Sequence, residues 1–188
     1  MNGDATNPRK QEFPQISLEE KRFADAPRIG FGEDIHALVP DRELWLGGVK
    51  IPFDRGLDGH SDADALLHAI MDALLGALAL GDIGSLFPNT DEAYRGISSM
   101  KLLDEVMRLV RERGKCVGNL DTMILCERPK IGPHRETMRL TLASALGVNA
   151  DAISIKAGTN ERFDAVGRGE AILCKAVVLL LPASKSVS

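Results

Sequence analysis

Three of the chain's four histidines stand among carboxylates in two short runs, Gly32-Glu33-Asp34-Ile35-His36 and Gly59-His60-Ser61-Asp62-Ala63-Asp64-Ala65-Leu66-Leu67-His68. An Asp and a His two residues apart on a strand point to one face, about 6–7 Å apart at the backbone. Both can then reach one ion at roughly 2.0–2.2 Å, the usual distance for carboxylate and imidazole on zinc. The competing reading is a coincidence at a strand end. A third ligand has to come from another element, and Ser61 to Leu80 offers one: a cap-like Ser-Asp start followed by an Ala/Leu-rich helical pattern. On that helix Asp64, His68 and Asp72 are spaced by four and share a face. Three protein ligands leave a fourth position open, the mark of a catalytic rather than a structural zinc site.

Three loops could present ligands to such a centre. Residues 79–91, Ala-Leu-Gly-Asp-Ile-Gly-Ser-Leu-Phe-Pro-Asn-Thr-Asp, form a Gly/Pro-punctuated loop that either offers backbone amides to a ligand or is an ordinary helix end. Residues 125–134 run from a strand through a Pro-bounded turn to a helix start at His134. That turn either holds a planar base by its backbone or simply connects two elements. Finally, Thr159 and Glu161 stand two apart at a strand end, where a hydroxyl and a carboxylate can contact a phosphate and a hard cation together.

The elements that must position these groups follow from pattern and length. A chain of 188 residues, 44% hydrophobic, can bury one core. Residues 1–27 lack sustained periodicity and read as a flexible extension, 28–182 as the domain, and 183–188 as a tail. The domain reads as strands over 28–36 and about 43–51, helices over 61–80 and about 98–113, a strand over about 117–126, a helix over about 134–146, and closing strands over about 152–159 and 170–181. Gly114 and Gly147 sit where helices should stop. This order predicts an α/β sandwich, a single domain with one mixed sheet covered by helices on one face. The bare face then calls for self-association. A net charge of −4, 4% aromatics and no basic run exclude a broad nucleic-acid surface. Cys116, Cys126 and Cys174 lack any paired spacing and read as reduced thiols of a cytoplasmic protein. No apolar run approaches the ~18 residues of a membrane span, and no signal-peptide core precedes the domain, so no membrane partner is expected.

From Arg28 to about Leu181 the chain resembles the 2-C-methyl-D-erythritol 2,4-cyclodiphosphate synthases. The motifs DxH, HSDxDxxxHA, ALGDIGxLFPxTD, PKxxPH and GRGEA occur in family order with near-family spacing. The resemblance implies a homotrimer that packs its sheets around a threefold axis, with active sites between adjacent subunits. Zinc would lie on Asp34, His36 and His68, of which Asp34 and His36 would also border the substrate. His60 and Ser61 would meet its phosphates, and Asp82, Ile83, Gly84, Phe87, Pro88, Asn89, Thr90 and Asp91 would close over the methylerythritol moiety. Cys126, Pro129, Lys130, Ile131 and Gly132, with Ala157, Gly158 and Thr159, would form the neighbour's cytidine pocket. Asn160 would flank the substrate, and Glu161 would carry magnesium or manganese on its diphosphate. Ala165 and Arg168 would border a central channel able to hold an isoprenoid diphosphate. Asp64 is expected to meet substrate hydroxyls and Asp72 to support His68 as a hydrogen-bond acceptor.

The implied reaction is an intramolecular phosphoryl transfer that expels CMP from 4-diphosphocytidyl-2-C-methyl-D-erythritol 2-phosphate, with His60 and Thr159 steadying the transition state. Several positions depart from the family pattern: Asn89 stands where Asp is common, Glu33 where an aromatic is frequent, and Ala165 where a bulky apolar residue is usual. An unpaired buried carboxylate is costly, so Glu33 should pair with a base such as Lys175 or Arg168 or else face a wet channel; the expectation is an ion pair near the threefold axis, with weak or absent binding of prenyl diphosphates. A metal-dependent phosphohydrolase and a non-catalytic trimeric binding protein remain as alternative readings.

Overall fold

A computed structural model describes residues 26–88 and 90–183. Most of the expected N-terminal extension, the tail beyond residue 183 and Asn89 lie outside the described residues. Five strands form one mixed sheet in the order β4-β1-β7-β5-β6. They are β1 (Arg28–Pro40), β4 (Arg55–Leu57), β5 (Lys115–Leu125), β6 (Ile153–Gly158) and β7 (Ala171–Pro182). The β5/β6 pair is parallel and the other pairs are antiparallel. A separate hairpin joins β2 (Leu44–Leu46) to β3 (Val49–Ile51). Helices α1 (Ala65–Ala77), α3 (Ser99–Glu112) and α4 (Arg135–Leu146) are the long ones, and α2 (Ile83–Leu86) and α5 (Asp164–Gly167) are single turns in loops.

Alternation along the strands decides which face is covered. On β7, Ile172, Cys174, Ala176, Val178 and Leu180 are buried against the helices. Ile29 and Phe31 on β1 point the other way and are 73% and 59% exposed, with Ile35 and Val177 beside them. The expected two-layer fold with one bare, apolar sheet face is what the chain forms.

Helix α1 is the inner wall. Eleven of its residues are buried, which suits a helix that is apolar all round and enclosed by the sheet, the hairpin and α3. It lies almost backbone to backbone on β1. A Cβ at Gly30 would fall 1.8 Å from the Ala73 carbonyl oxygen, and one at Gly32 would fall 2.0 Å from that of Ala69.

Several boundaries differ from the sequence expectation. The strand expected over 43–51 is a hairpin, because Gly47 and Gly48 both adopt left-handed backbone (φ 60° and 74°) and turn the chain back. β1 continues to Pro40 and β4 was not foreseen; its three residues are too few to show a period. Helix α1 starts at Ala65 rather than Ser61, with Asp64 as the cap that accepts from Leu67 N at 3.0 Å. Gly114 and Gly147 take the left-handed helix-stop conformation, as expected.

Gly30→Ala should force α1 off the sheet. The overpacking cost is about 1–3 kcal/mol or more, read as a lower urea midpoint; an unchanged midpoint would show that α1 can yield at this contact.

Candidate active site

Asp34 and His36 reach from β1 toward α1, and His68, in the first turn of α1, meets them. Asp34 Oδ2 is 2.9 Å from His36 Nε2 and 3.0 Å from His68 Nδ1, and the two nitrogens are 3.3 Å apart. Ligands at about 2.0–2.1 Å in a tetrahedron stand roughly 3.3 Å from one another, so the triangle approximates one face of a zinc shell. The outer side of His36 supports the fit. Its Nδ1 closes on the Asp58 carbonyl oxygen, which only an N–H can satisfy, and the neutral ring therefore turns a lone pair inward at Nε2. Burial alone would raise the Asp34 pKa, but bonds and charge from the two histidines outweigh it and hold the carboxyl well below its ordinary range. Burial likewise opposes charge on His36, and Asp34 together with the backbone and carboxylate of Asp58 more than reverses that, lifting the imidazole above its ordinary value.

These ligands line a cleft of about 230 Å³ with His60, Ser61, Ile83, Gly84 and Phe87, all expected, and with Gly59, Tyr94 and Leu102, which were not. His60 Nε2 is buried and has no hydrogen-bond partner among the described residues. The loop carrying His60 and Ser61 is clamped by Arg42, whose guanidinium donates to Gly59 O at 2.8 Å and Ser61 O at 2.9 Å. Asp82 folds the opposite wall by accepting from Ser85 N and Oγ, each at 2.8 Å. Phe87 tucks edge-on against Tyr94, with ring centroids 5.4 Å apart. Pro88, Thr90 and Asp91 are exposed beyond it.

Two carboxylates do not do what their spacing suggested. Asp64 is fully buried and lines no cleft; besides capping α1 it accepts from Gly47 N at 2.8 Å and Gly48 N at 2.7 Å, so it ties the hairpin to the helix instead of meeting substrate hydroxyls. Asp72 accepts from Ile83 N at 2.8 Å and holds the α2 loop. The hydroxyls next to His68 Nε2 belong to Ser99, at 3.0 Å, and Ser61, at 3.2 Å.

A second cleft of about 270 Å³ gathers Cys126, Pro129, Lys130, Ile131, Gly132, Ala157, Gly158 and Thr159, the group expected to form a base pocket, and adds Arg135 from the start of α4. Burial pushes the Cys126 thiol up to about 11, which makes it a wall rather than a nucleophile. Thr159 Oγ1 donates to Glu161 Oε1 at 2.6 Å. Glu161, Arg162 and Asp164 have left-handed backbone, at φ 49°, 67° and 54°. Strain of that kind costs on the order of 1–3 kcal/mol per residue and collects at functional loops. Here Glu127 Oε1 braces the loop by accepting from Asn160 N at 3.2 Å. The Asn160 side-chain amide donates to Asp164 Oδ2, at 2.7 Å. Ala165 and Arg168 line neither of these clefts. Arg168 pairs with Glu170 at 2.9 Å. The expected Glu33 pair is present: its carboxylate is 2.9 Å from Lys175 Nζ across the strands.

A model of the YgbB family matches residues 27–181. The chain belongs to the YgbB family. It is 57% identical to the 2-C-methyl-D-erythritol 2,4-cyclodiphosphate synthase of Trichlorobacter lovleyi, over 82% of this chain and 99% of that protein. Against the protein of the same name from Chloroherpeton thalassium it is 58% identical, over 81% and 98%. A solved structure described as "2C-Methyl-D-erythritol-2,4-cyclodiphosphate Synthase (bound form CDP)" superposes with a TM-score of 0.76 at 43% identity, covering 81% of this chain and 99% of that one. The "IspF (Plasmodium falciparum) CDP complex" gives 0.75 at 34% identity, covering 85% and 99%. In this YgbB family member no helix among the described residues is long and apolar enough to cross a membrane.

In metal-free protein the Asp34–His36 pair should make stability depend on pH. Asp34, with a lowered pKa, favours folding above the ordinary carboxylate value of 3.8, and that gain is lost as pH falls through its folded pKa. His36, with a raised pKa, favours folding below 6.5, and its gain is lost as pH rises through its folded pKa. Melting with a chelator present should therefore show a contribution that is complete between these two values and is removed by Asp34→Asn. A pH profile unaltered by that substitution would refute the coupling.

Proposed function

We propose that this chain converts 4-diphosphocytidyl-2-C-methyl-D-erythritol 2-phosphate to 2-C-methyl-D-erythritol 2,4-cyclodiphosphate and CMP, as a phosphorus–oxygen lyase of the non-mevalonate isoprenoid pathway. The observation that carries the reading is the convergence of Asp34, His36 and His68 on one point in a cleft, in a chain more than half identical to synthases of that name. Asp34, His36 and His68 would hold zinc and Glu161 magnesium or manganese; bound there, these cations neutralise phosphoryl charge and polarise the oxygens under transfer.

The chain's own residues align and enclose the reactants. A new bond forms between an oxygen of the 2-phosphate and the β-phosphorus, and the bond from that phosphorus to the bridging oxygen breaks, with CMP leaving with the electron pair. The attacking oxygen is already anionic, so no strong base is needed. The unpartnered His60 Nε2 suits donation to phosphate oxygens as charge shifts during transfer, and the Thr159 hydroxyl would do the same once its proton turns from Glu161 Oε1 to the substrate. Ile83 and Phe87 shield the cleft, which matters because attack by water would give a linear product.

The relatives' bound CDP favours a cytidine nucleotide in the second cleft. That cleft lies at the C-terminal ends of β5 and β6, whereas Asp34 and His36 are on β1, with β7 between. Two to three strand spacings of ~4.8 Å amount to roughly 10–14 Å, a separation that favours a site completed by a neighbouring copy. The apolar sheet face supports three copies packed around an axis. The three free cysteines suit a reducing cytoplasm.

Incubation with the substrate and divalent metal should yield CMP and cyclic diphosphate in equal amounts; linear phosphates would instead mark a hydrolase. By calorimetry CDP should bind about 10-fold or more tightly than UDP, since a base edge mismatched to fixed polar groups leaves them unpaired. Equal affinities would defeat the base-pocket assignment.

A further inference from the structure

Ser99, the first residue of α3, is fully buried, and its hydroxyl lies between two polar groups. It donates to Asp62 Oδ1 and stands 3.0 Å from His68 Nε2. Asp62 Oδ2 also accepts from Ser99 N at 2.9 Å, so one carboxylate holds both donors of this residue. A hydroxyl has a single proton. With that proton on Asp62, Ser99 presents only a lone pair to His68, and an unprotonated Nε2 opposite it would be repelled. The neutral ring therefore carries its proton on Nε2 and turns the Nδ1 lone pair toward Asp34. Ser61 Oγ, 3.2 Å from the same Nε2, accepts from Ala63 N and tolerates this arrangement.

We infer that Asp62 and Ser99 are positioning residues of the metal centre: Asp62 fixes the direction of the Ser99 hydroxyl, the hydroxyl fixes the His68 tautomer, and the tautomer supplies the third ligand. The inference rests on the proposal that Asp34, His36 and His68 bind a divalent metal. It assigns a role to two residues that cannot touch the ion, one of them 31 positions from His68 in the chain.

Asp62→Asn separates polarity from packing. Ser99 N, at 2.9 Å from Oδ2, holds the new amide oxygen there more firmly than Asp64 N, at 3.3 Å, would hold it at Oδ1, and this orientation turns the amide N–H₂ toward Ser99 Oγ. The Ser99 proton is then released toward His68 Nε2, and the ring is driven to the tautomer with its proton on Nδ1, where the metal should bind. Zinc affinity is measured by competition with a chelating indicator, and the melting temperature of each chelated protein is recorded alongside. Ser99→Ala and Asp62→Asn should each bind zinc about 10–100-fold more weakly than wild type, the range for outer hydrogen-bond partners of a ligating histidine. Ser99→Thr should restore affinity.

Wild-type affinity in both variants overturns the inference, as does a loss of affinity matched by an equal fall in the melting temperature of the chelated proteins, or by the same loss in Ser99→Thr. Failure of the metal reading looks different: wild type would bind no stoichiometric zinc, or His68→Ala would bind it as tightly as wild type.

Discussion

The two glycines on β1 set how close α1 can come to the sheet, and the Asp34–His36–His68 triad depends on that distance. His68 has only its own side chain with which to reach Asp34 and His36. With α1 resting on the backbone at Gly30 and Gly32, the three ligand atoms come within 3.3 Å of one another. Any side chain in that contact would act as a spacer, because cores resist insertion of even one methylene. The alanines of α1 belong to the same constraint: Ala69 and Ala73 supply the backbone that the glycines touch, and both are fully buried.

A close contact fixes distance, while the surrounding loops fix orientation. Asp64 ties Gly47, Gly48 and the start of α1 together through backbone N–H groups, and Arg42 holds the carbonyls of the loop that carries His60 and Ser61. Burial pushes the Asp64 pKa up, against the three N–H donors that favour its charged form. A buried carboxylate with its lone pairs satisfied is tolerable where an unsatisfied one would not be. Polar residues that look available for catalysis in the sequence are therefore partly the frame that holds the cleft residues still.

That division explains what could and could not be read from the chain. Asp34 and His36 were legible because the strand period puts them on one face; the helix period offered Asp64, His68 and Asp72, and the family resemblance chose His68 among the candidates. The two-layer fold was legible from the order of strands and helices. The residues of the second cleft were legible through the family motifs. Asp64 and Asp72 were misassigned because a spacing of four says which face a residue shares, not where a carboxylate turns at a helix end. Ser99, Tyr94, Leu102, Arg42 and Arg135 carried no local signal; each reaches its cleft or loop from an element whose placement is a tertiary fact. A serine just inside a helix start ordinarily reads as a cap residue, and Ser98, not Ser99, holds that position in α3.

The bare sheet face shows how polar groups can sit on a surface suited to association. Across β1 and β7, Ile35 lies opposite Leu173 and Phe31 opposite Val177, with Glu33 and Lys175 paired between these rows. Asp121 and Lys156 form a like pair, at 2.6 Å, on β5 and β6. Both pairs are closed within one chain. Removing an unpaired charge from water is far more costly than removing one that already has its partner. A face built this way can bury its isoleucines and phenylalanine against another surface without demanding a complementary charge from it. Exposed as they are, the pairs contribute little to the stability of the single chain; their stronger physical consequence is that two charges of each sign do not stand alone within an apolar patch.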